Sequence, residues 1–292
     1  MIALHPQILI PIDFSEQSII ALEQSLRLAT FYRAEITLIY VIEEGGGMLK
    51  LFSKGEQANE KEIEAKLADL AAISSKKYNI KINTVIAKGD MLEKILETAD
   101  KIGAKFIIIG SYSSDDKLQK KTIGGSAIRI VKEAACPVIT IKGKSNRAGC
   151  KNIVLPIDMT KESREKVKNA IDFAKLYGST IRVVSILYHL DKDSAFRLSK
   201  QVEHVKHFIT EAGVPCTVAL LRDVQPKHTV ADSIIEYADK IQADLIMIMT
   251  QQEDEMKPLF KDSAAHEIID KSDIPVMSIV PTIKQSSGFS PY

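Results

Sequence analysis

The stretch ILIPIDFSEQS, from Ile8 to Ser18, returns as IVLPIDMTKES from Ile153 to Ser163. Each is a run of branched apolar residues that stops at Pro-Ile-Asp, with a hydroxyl residue two places on. Two more pairs follow in the same order: KFIIIGS at Lys105–Ser111 with DLIMIMT at Asp244–Thr250, and CPVITI at Cys136–Ile141 with IPVMSI at Ile274–Ile279. The offsets are 145, 139 and 138 residues, so the chain is a duplication whose second copy has lost a few loop residues. The join falls near Gly143–Gly149, in the polar stretch KGKSNRAG. The expected domains are residues 1–143 and 150–284, with a tail over 285–292. A copy of about 145 residues can bury a core without disulfides or metals.

Within the first copy, apolar runs alternate with stretches of helical period. The runs are Ile8–Ile12, Ile36–Ile42, Ile80–Ala87, Phe106–Ile109 and Val138–Ile141, nearly unbroken Ile, Val and Leu, as in strands covered on both faces. Between them, helical stripes are marked by Ile19, Leu22, Leu26 and Ala29, by Leu92, Ile95, Leu96 and Ala99, and by Ala127, Ile130, Val131 and Ala134. A long helix is expected over Gln57–Tyr78, and Ser15 and Asp90 stand where N-caps belong. The pattern predicts an α/β fold in each copy: a parallel sheet, right-handed crossovers and helices on both faces. Ligands of such sheets bind beyond the carboxyl ends of the strands.

With 39 basic and 38 acidic residues the net charge is +1, which gives no electrostatic footprint for nucleic acid or an anionic membrane. No apolar stretch approaches the roughly 20 residues that span a bilayer, and Met1–Gln7 lacks the basic start of a signal peptide. Cys136, Cys150 and Cys216 are too scattered for a disulfide framework. A cytoplasmic protein is the expectation. The histidines show no metal-ligand spacing and no G-x-S-x-G elbow is present, so no metal site and no catalytic residue is assigned.

Two loops carry chemistry. After the first strand comes Pro11-Ile12-Asp13-Phe14-Ser15. Asp13 either accepts hydrogen bonds from a nucleotide's ribose or base, or ends the strand in a turn while Ser15 caps the next helix. After the fourth strand come Gly110, Ser111 and Ser113, then Asp115, Asp116 and a basic stretch, then Gly124-Gly125-Ser126 opening a helix. Glycines allow close backbone approach and a helix N-terminus offers free N–H groups to phosphate. The alternative is a plain surface loop ending in a helix start.

The combination of Pro-x-Asp-Phe-Ser at 11–15, Gly-Ser at 110–111 and Gly-Gly-Ser-helix-Cys-Pro-Val at 124–138 resembles the universal stress proteins, over both copies. The resemblance implies two tandem Rossmann-like domains of the adenine nucleotide alpha hydrolase type, each a five-stranded sheet of order 3-2-1-4-5. It implies self-association through the last strands, between the domains or in a homodimer. It also implies a site for ATP or a related adenine nucleotide in the first domain. There the residues matching Pro11, Asp13 and Val41 surround the adenosine, and the loop from Gly110 to Gly125, with Ser126 beside it, cradles the phosphates. The only metal implied is a magnesium ion carried by the nucleotide.

The match is incomplete. Ser113 replaces the family's middle glycine, the following gap is one residue longer, Gly125 stands at the Ser/Thr position, and Asp115 and Asp116 put negative charge near the phosphates. The second copy departs further: Met249 aligns with Gly110, and Asp262-Ser263 with Gly124-Gly125. No triphosphate site is expected there. Three functions follow in order: a stress-linked nucleotide-binding protein with one site, an interaction scaffold with both sites decayed, and a slow ATPase whose one candidate acid is Asp13.

Overall fold

A computed structural model describes residues 5–43, 53–111, 123–142, 149–158, 163–187, 192–222, 228–249 and 262–279. The chain divides into two compact units, Met1–Gly149 and Cys150–Tyr292. In the first, β1 (Gln7–Pro11), α1 (Glu16–Tyr32), β2 (Glu35–Ile42), α2 (Ser53–Tyr78), β3 (Ile82–Lys88), α3 (Met91–Ile102), β4 (Ala104–Gly110), α4 (Ile123–Glu133) and β5 (Val138–Ile141) alternate along the chain. In the second, β6 (Asn152–Pro156), α5 (Ser163–Tyr177), β7 (Thr180–Ile186), α6 (Lys192–Glu211), β8 (Cys216–Leu221), α7 (Val230–Lys240), β9 (Leu245–Met249), α8 (Asp262–Lys271) and β10 (Val276–Ile279) repeat that order.

The strands of the first unit pair in parallel in the order β3-β2-β1-β4-β5. Those of the second run β8-β7-β6-β9-β10, which is the same arrangement. Central position explains the apolar runs. Ile8, Leu9 and Ile10 of β1, and Ile153, Val154 and Leu155 of β6, are fully buried because helices cover both faces of the sheet. The third run behaves differently. It pairs on one side only, with β2, and most of its residues are half-exposed. It also starts later than Ile80: Asn79 takes φ 53° and the Ile80 amide donates to the Ser75 carbonyl, which closes α2 before the strand begins.

Ser15 and Asp90 cap their helices, accepting hydrogen bonds from the amides of Ser18 and Glu93. The α4 stripe of Ala127, Ile130, Val131 and Ala134 is buried throughout. In α1 and α3 the buried arc is rotated from the expected one. Ile19 and Leu96 are half-exposed, while Ser18, Ser25 and Thr98 are buried. Ser18 and Ser25 donate to the carbonyls of Ser15 and Leu22, so their hydroxyls enter the core already satisfied. No helix among the described residues is long and apolar enough to cross a membrane.

Candidate functional site

In each unit the strand order reverses beside the first strand, because its chain neighbour lies on one side and the fourth strand on the other. Connections leave the carboxyl ends of those two strands in opposite directions and open a crevice there. In the first unit that crevice is bounded by Pro11–Ser15 after β1, Val41 near the end of β2, and Gly110 and Ser111 at the end of β4.

Asp13 is part-buried. Its Oδ1 accepts from the Ser15 amide at 3.0 Å and from the Ser15 hydroxyl. The turn it makes places Phe14 at φ 60°, with its ring 5.4 Å from that of Tyr40. The strand-ending role is therefore real. It uses only Oδ1, and Oδ2 has no hydrogen-bond partner among the described residues. Pro11 is buried and Val41 half-buried.

Gly110 has a further explanation. A Cβ there would stand 2.3 Å from the carbonyl oxygen of Gln17 and 2.7 Å from the Ser18 amide nitrogen. The first turn of α1 presses against the last residue of β4, and only glycine permits it. The close approach read from the sequence is thus an approach of the protein to itself. Next to this contact, two buried polar atoms have no hydrogen-bond partner among the described residues: Gln17 Oε1 and Ser111 Oγ. Such atoms cost roughly 1–3 kcal/mol each when left unpaired. The Gln17 oxygen was not foreseen; its signal is a polar residue four places after Asp13, on what becomes the buried side of α1.

Gly124, Gly125 and Ser126 lie in the first turn of α4, so that helix's N-terminus does open at the glycine pair. Their surroundings, and Ser113 with the rest of the loop over 112–122, lie outside the described residues.

In the second unit the strand again ends at Pro156-Ile157-Asp158, and its surroundings differ. Asp158 is fully buried, where Asp13 is not. Gln201 Nε2 of α6 donates to the Asp158 carbonyl at 2.8 Å, and the Ser185 hydroxyl donates to the Ile157 carbonyl at 2.6 Å. Ser185 stands 145 residues after Tyr40, so a hydroxyl that ties down the turn replaces an aromatic ring that borders it. Met249, at the Gly110 position, is buried. α8 begins at Asp262, whose side chain lies outside the described residues.

The family model described as the universal stress protein family matches twice, over residues 6–142 and 149–279. The chain is a tandem member of the universal stress protein family. A universal stress protein of Methanocaldococcus jannaschii is 28% identical over 146 residues, which is 48% of this chain and 83% of the relative. A crystal structure of a universal stress protein from Archaeoglobus fulgidus superposes with a TM-score of 0.75 at 18% identity, covering 94% of this chain and 96% of that one. That likeness concerns the fold of the whole tandem chain. A further A. fulgidus universal stress protein, 23% identical over 44% of this chain and 97% of its own, with a TM-score of 0.37, was solved in complex with dAMP.

Proposed function

We propose that the first unit binds an adenine nucleotide, ATP or a close relative, and that the second unit is a structural copy without a triphosphate site. The observation that carries this reading is the pair of buried, unpartnered polar atoms, Ser111 Oγ and Gln17 Oε1, at the carboxyl end of β4. Asp13 Oδ2 is likewise without a hydrogen-bond partner among the described residues, whereas the Ile157 and Asp158 carbonyls of the second unit accept from Ser185 and Gln201. Pro11, Asp13 and Val41 take the nucleoside end. Gly110, Ser111, Ser113, Gly124, Gly125 and Ser126 take the phosphate end, where the α4 amides favour an anion and any magnesium travels with the nucleotide. A cytoplasmic, stress-linked setting belongs to the same proposal and is supported by three cysteines that all stand as thiols. So does self-association through the last strands, which light scattering reads.

Calorimetry of the full chain with ATP, ADP and AMP tests it. One site per chain is expected, weakened at least tenfold by Gly124→Asp, which puts a carboxylate at the anion end. No heat with any of the three nucleotides overturns it. A second reading, an interaction scaffold with no working nucleotide site, is favoured by one fact: Gly110 and Asp13 both have internal duties, against α1 and Ser15. Absence of nucleotide binding would establish that reading instead.

A further inference from the structure

Within the second unit, β8 lies at the edge of the strand order and pairs with β7 alone. The Ile181 amide donates to the Pro215 carbonyl and the Leu187 amide to the Leu221 carbonyl. The odd-numbered residues of β8 therefore turn their backbone groups toward β7. Cys216, Val218 and Leu220 turn theirs outward, and those amides and carbonyls have no hydrogen bond among the described residues. The edge strand of the first unit is shielded where β8 is not. By the same test β3 turns Ile82, Thr84, Ile86 and Lys88 outward, and Lys88 pairs with Glu60 of α2 at 2.6 Å. A charged side chain on an edge deters the approach of another strand. The β8 segment CTVALL holds no charge and no proline, and its Leu220 is exposed.

Outward backbone donors and acceptors in strand geometry have one complement, another strand. The segment also complements itself. With a two-fold axis at Val218, an antiparallel copy sets Val218 opposite Val218 and Cys216 opposite Leu220, outward residue against outward residue. That register closes about six backbone hydrogen bonds and makes every facing pair of these three residues apolar. Thr217 points to the other face, where its hydroxyl accepts from Arg182 at 3.1 Å. On the Cys216 face stand Lys206 and Glu203 of α6, 3.6 Å apart. Burial, and after it the Lys206 charge with Glu203 further down, sets the Cys216 thiol, which is pushed up to about 11. Both charges therefore flank this edge. The same axis runs α6 antiparallel to its copy and brings Lys206 of each chain toward Glu203 of the other.

We propose that β8 pairs antiparallel with β8 of a second copy of the chain, about a two-fold axis at Val218. This edge lies at the opposite end of the unit's strand order from β10, so it is separate from association through the last strands. It does not depend on the nucleotide reading. Val218→Cys in the full chain tests the register, because residues opposite each other on such an axis have Cα atoms about 5.5 Å apart, within disulfide reach. Oxidation with copper phenanthroline is expected to give a disulfide-linked dimer on a non-reducing gel. Wild type, and Ala219→Cys, whose new thiol would face Thr217 of the copy, are expected to stay uncrosslinked. Light scattering of wild type over a concentration series is expected to show the mass doubling. Val218→Lys sets two ammonium groups against each other on the axis and is expected to remove that doubling, with the circular dichroism of wild type retained. Glu203→Lys, on the exposed helix flank, is expected to shift the doubling severalfold to higher concentration, and adding Lys206→Glu to restore it. The pairing is overturned by a wild-type mass that never doubles or by a folded Val218→Cys that does not crosslink. Equal crosslinking through Ala219→Cys, or an unshifted doubling in Glu203→Lys, would overturn it as well.

Discussion

Each unit carries Pro-Ile-Asp at the end of its first strand, in a sheet of the same strand order, yet Asp13 Oδ2 has no hydrogen-bond partner among the described residues while Asp158 is fully buried. The turn itself is framework. What it is available for is decided by residues far away in the chain: Tyr40 against Ser185, and Gly110 against Met249. In the first unit Gln17 Oε1 and Ser111 Oγ have no hydrogen-bond partner among the described residues. In the second, Ser185 donates to the Ile157 carbonyl and Met249 is buried. A repeated motif therefore testifies to a shared fold, and only its neighbours testify to function.

Exchanging the neighbours is the strongest way to break the contrast. Gly110→Met puts a side chain where a Cβ already meets the Gln17 backbone, and is expected to destabilise the first unit by about 3 kcal/mol or more. The reverse exchange, Met249→Gly, empties a buried site in the second unit and is expected to cost a similar amount, about 2–5 kcal/mol. Urea unfolding combined with hydrogen exchange separates the two units. A loss below about 1 kcal/mol for Gly110→Met would show that α1 does not depend on that glycine.

Smaller changes sharpen the picture within the first unit. Ser15→Ala removes the α1 cap and the hydroxyl held by Asp13, and is expected to cost about 1 kcal/mol by thermal unfolding. Ser111→Ala has the opposite expected sign. Removing a buried hydroxyl with no partner should leave the ligand-free protein unchanged or up to about 1 kcal/mol more stable, while weakening nucleotide binding several-fold. A cost to the ligand-free protein would mean that the hydroxyl already serves the fold.

The smallest effect belongs to pH and to the second unit. The Thr229 amide, followed by Lys271 and the Thr229 hydroxyl, holds the Asp232 carboxyl below its ordinary value. Such a group contributes stability above the ordinary carboxylate range and loses it as pH falls through the lowered value. Asp232→Asn should therefore flatten the acid limb of the second unit's stability by a few tenths of a kcal/mol, because the pair lies near the surface. Acid titration monitored by exchange at α7 reads this directly.

Much of the fold was legible because it rests on repetition and burial: the duplication, the strand runs, and the caps Ser15 and Asp90 all follow from residue type and spacing. The rotated arcs of α1 and α3 were not. A hydropathy reading ranks Ile19 and Leu96 above Ser25 and Thr98, and cannot see that a helical serine becomes neutral to burial once it bonds to its own backbone. The site was half legible. Asp13 and Gly110 stand out by pattern as candidates. That Gly110 serves α1, and that Gln17 and Ser111 hold unpaired polar atoms, depends on a contact between distant segments that no local spacing reveals.

Hydrogen exchange of the full chain with and without saturating ATP and magnesium tests the asymmetry between the units most directly. Protection is expected in the peptides covering Gln7–Ser18 and Ala104–Ser111, with none in those covering Asn152–Asp158 and Leu245–Met249. Equal protection in both units, or none in either, would contradict a nucleotide site built by the neighbours of one turn and filled in by those of the other.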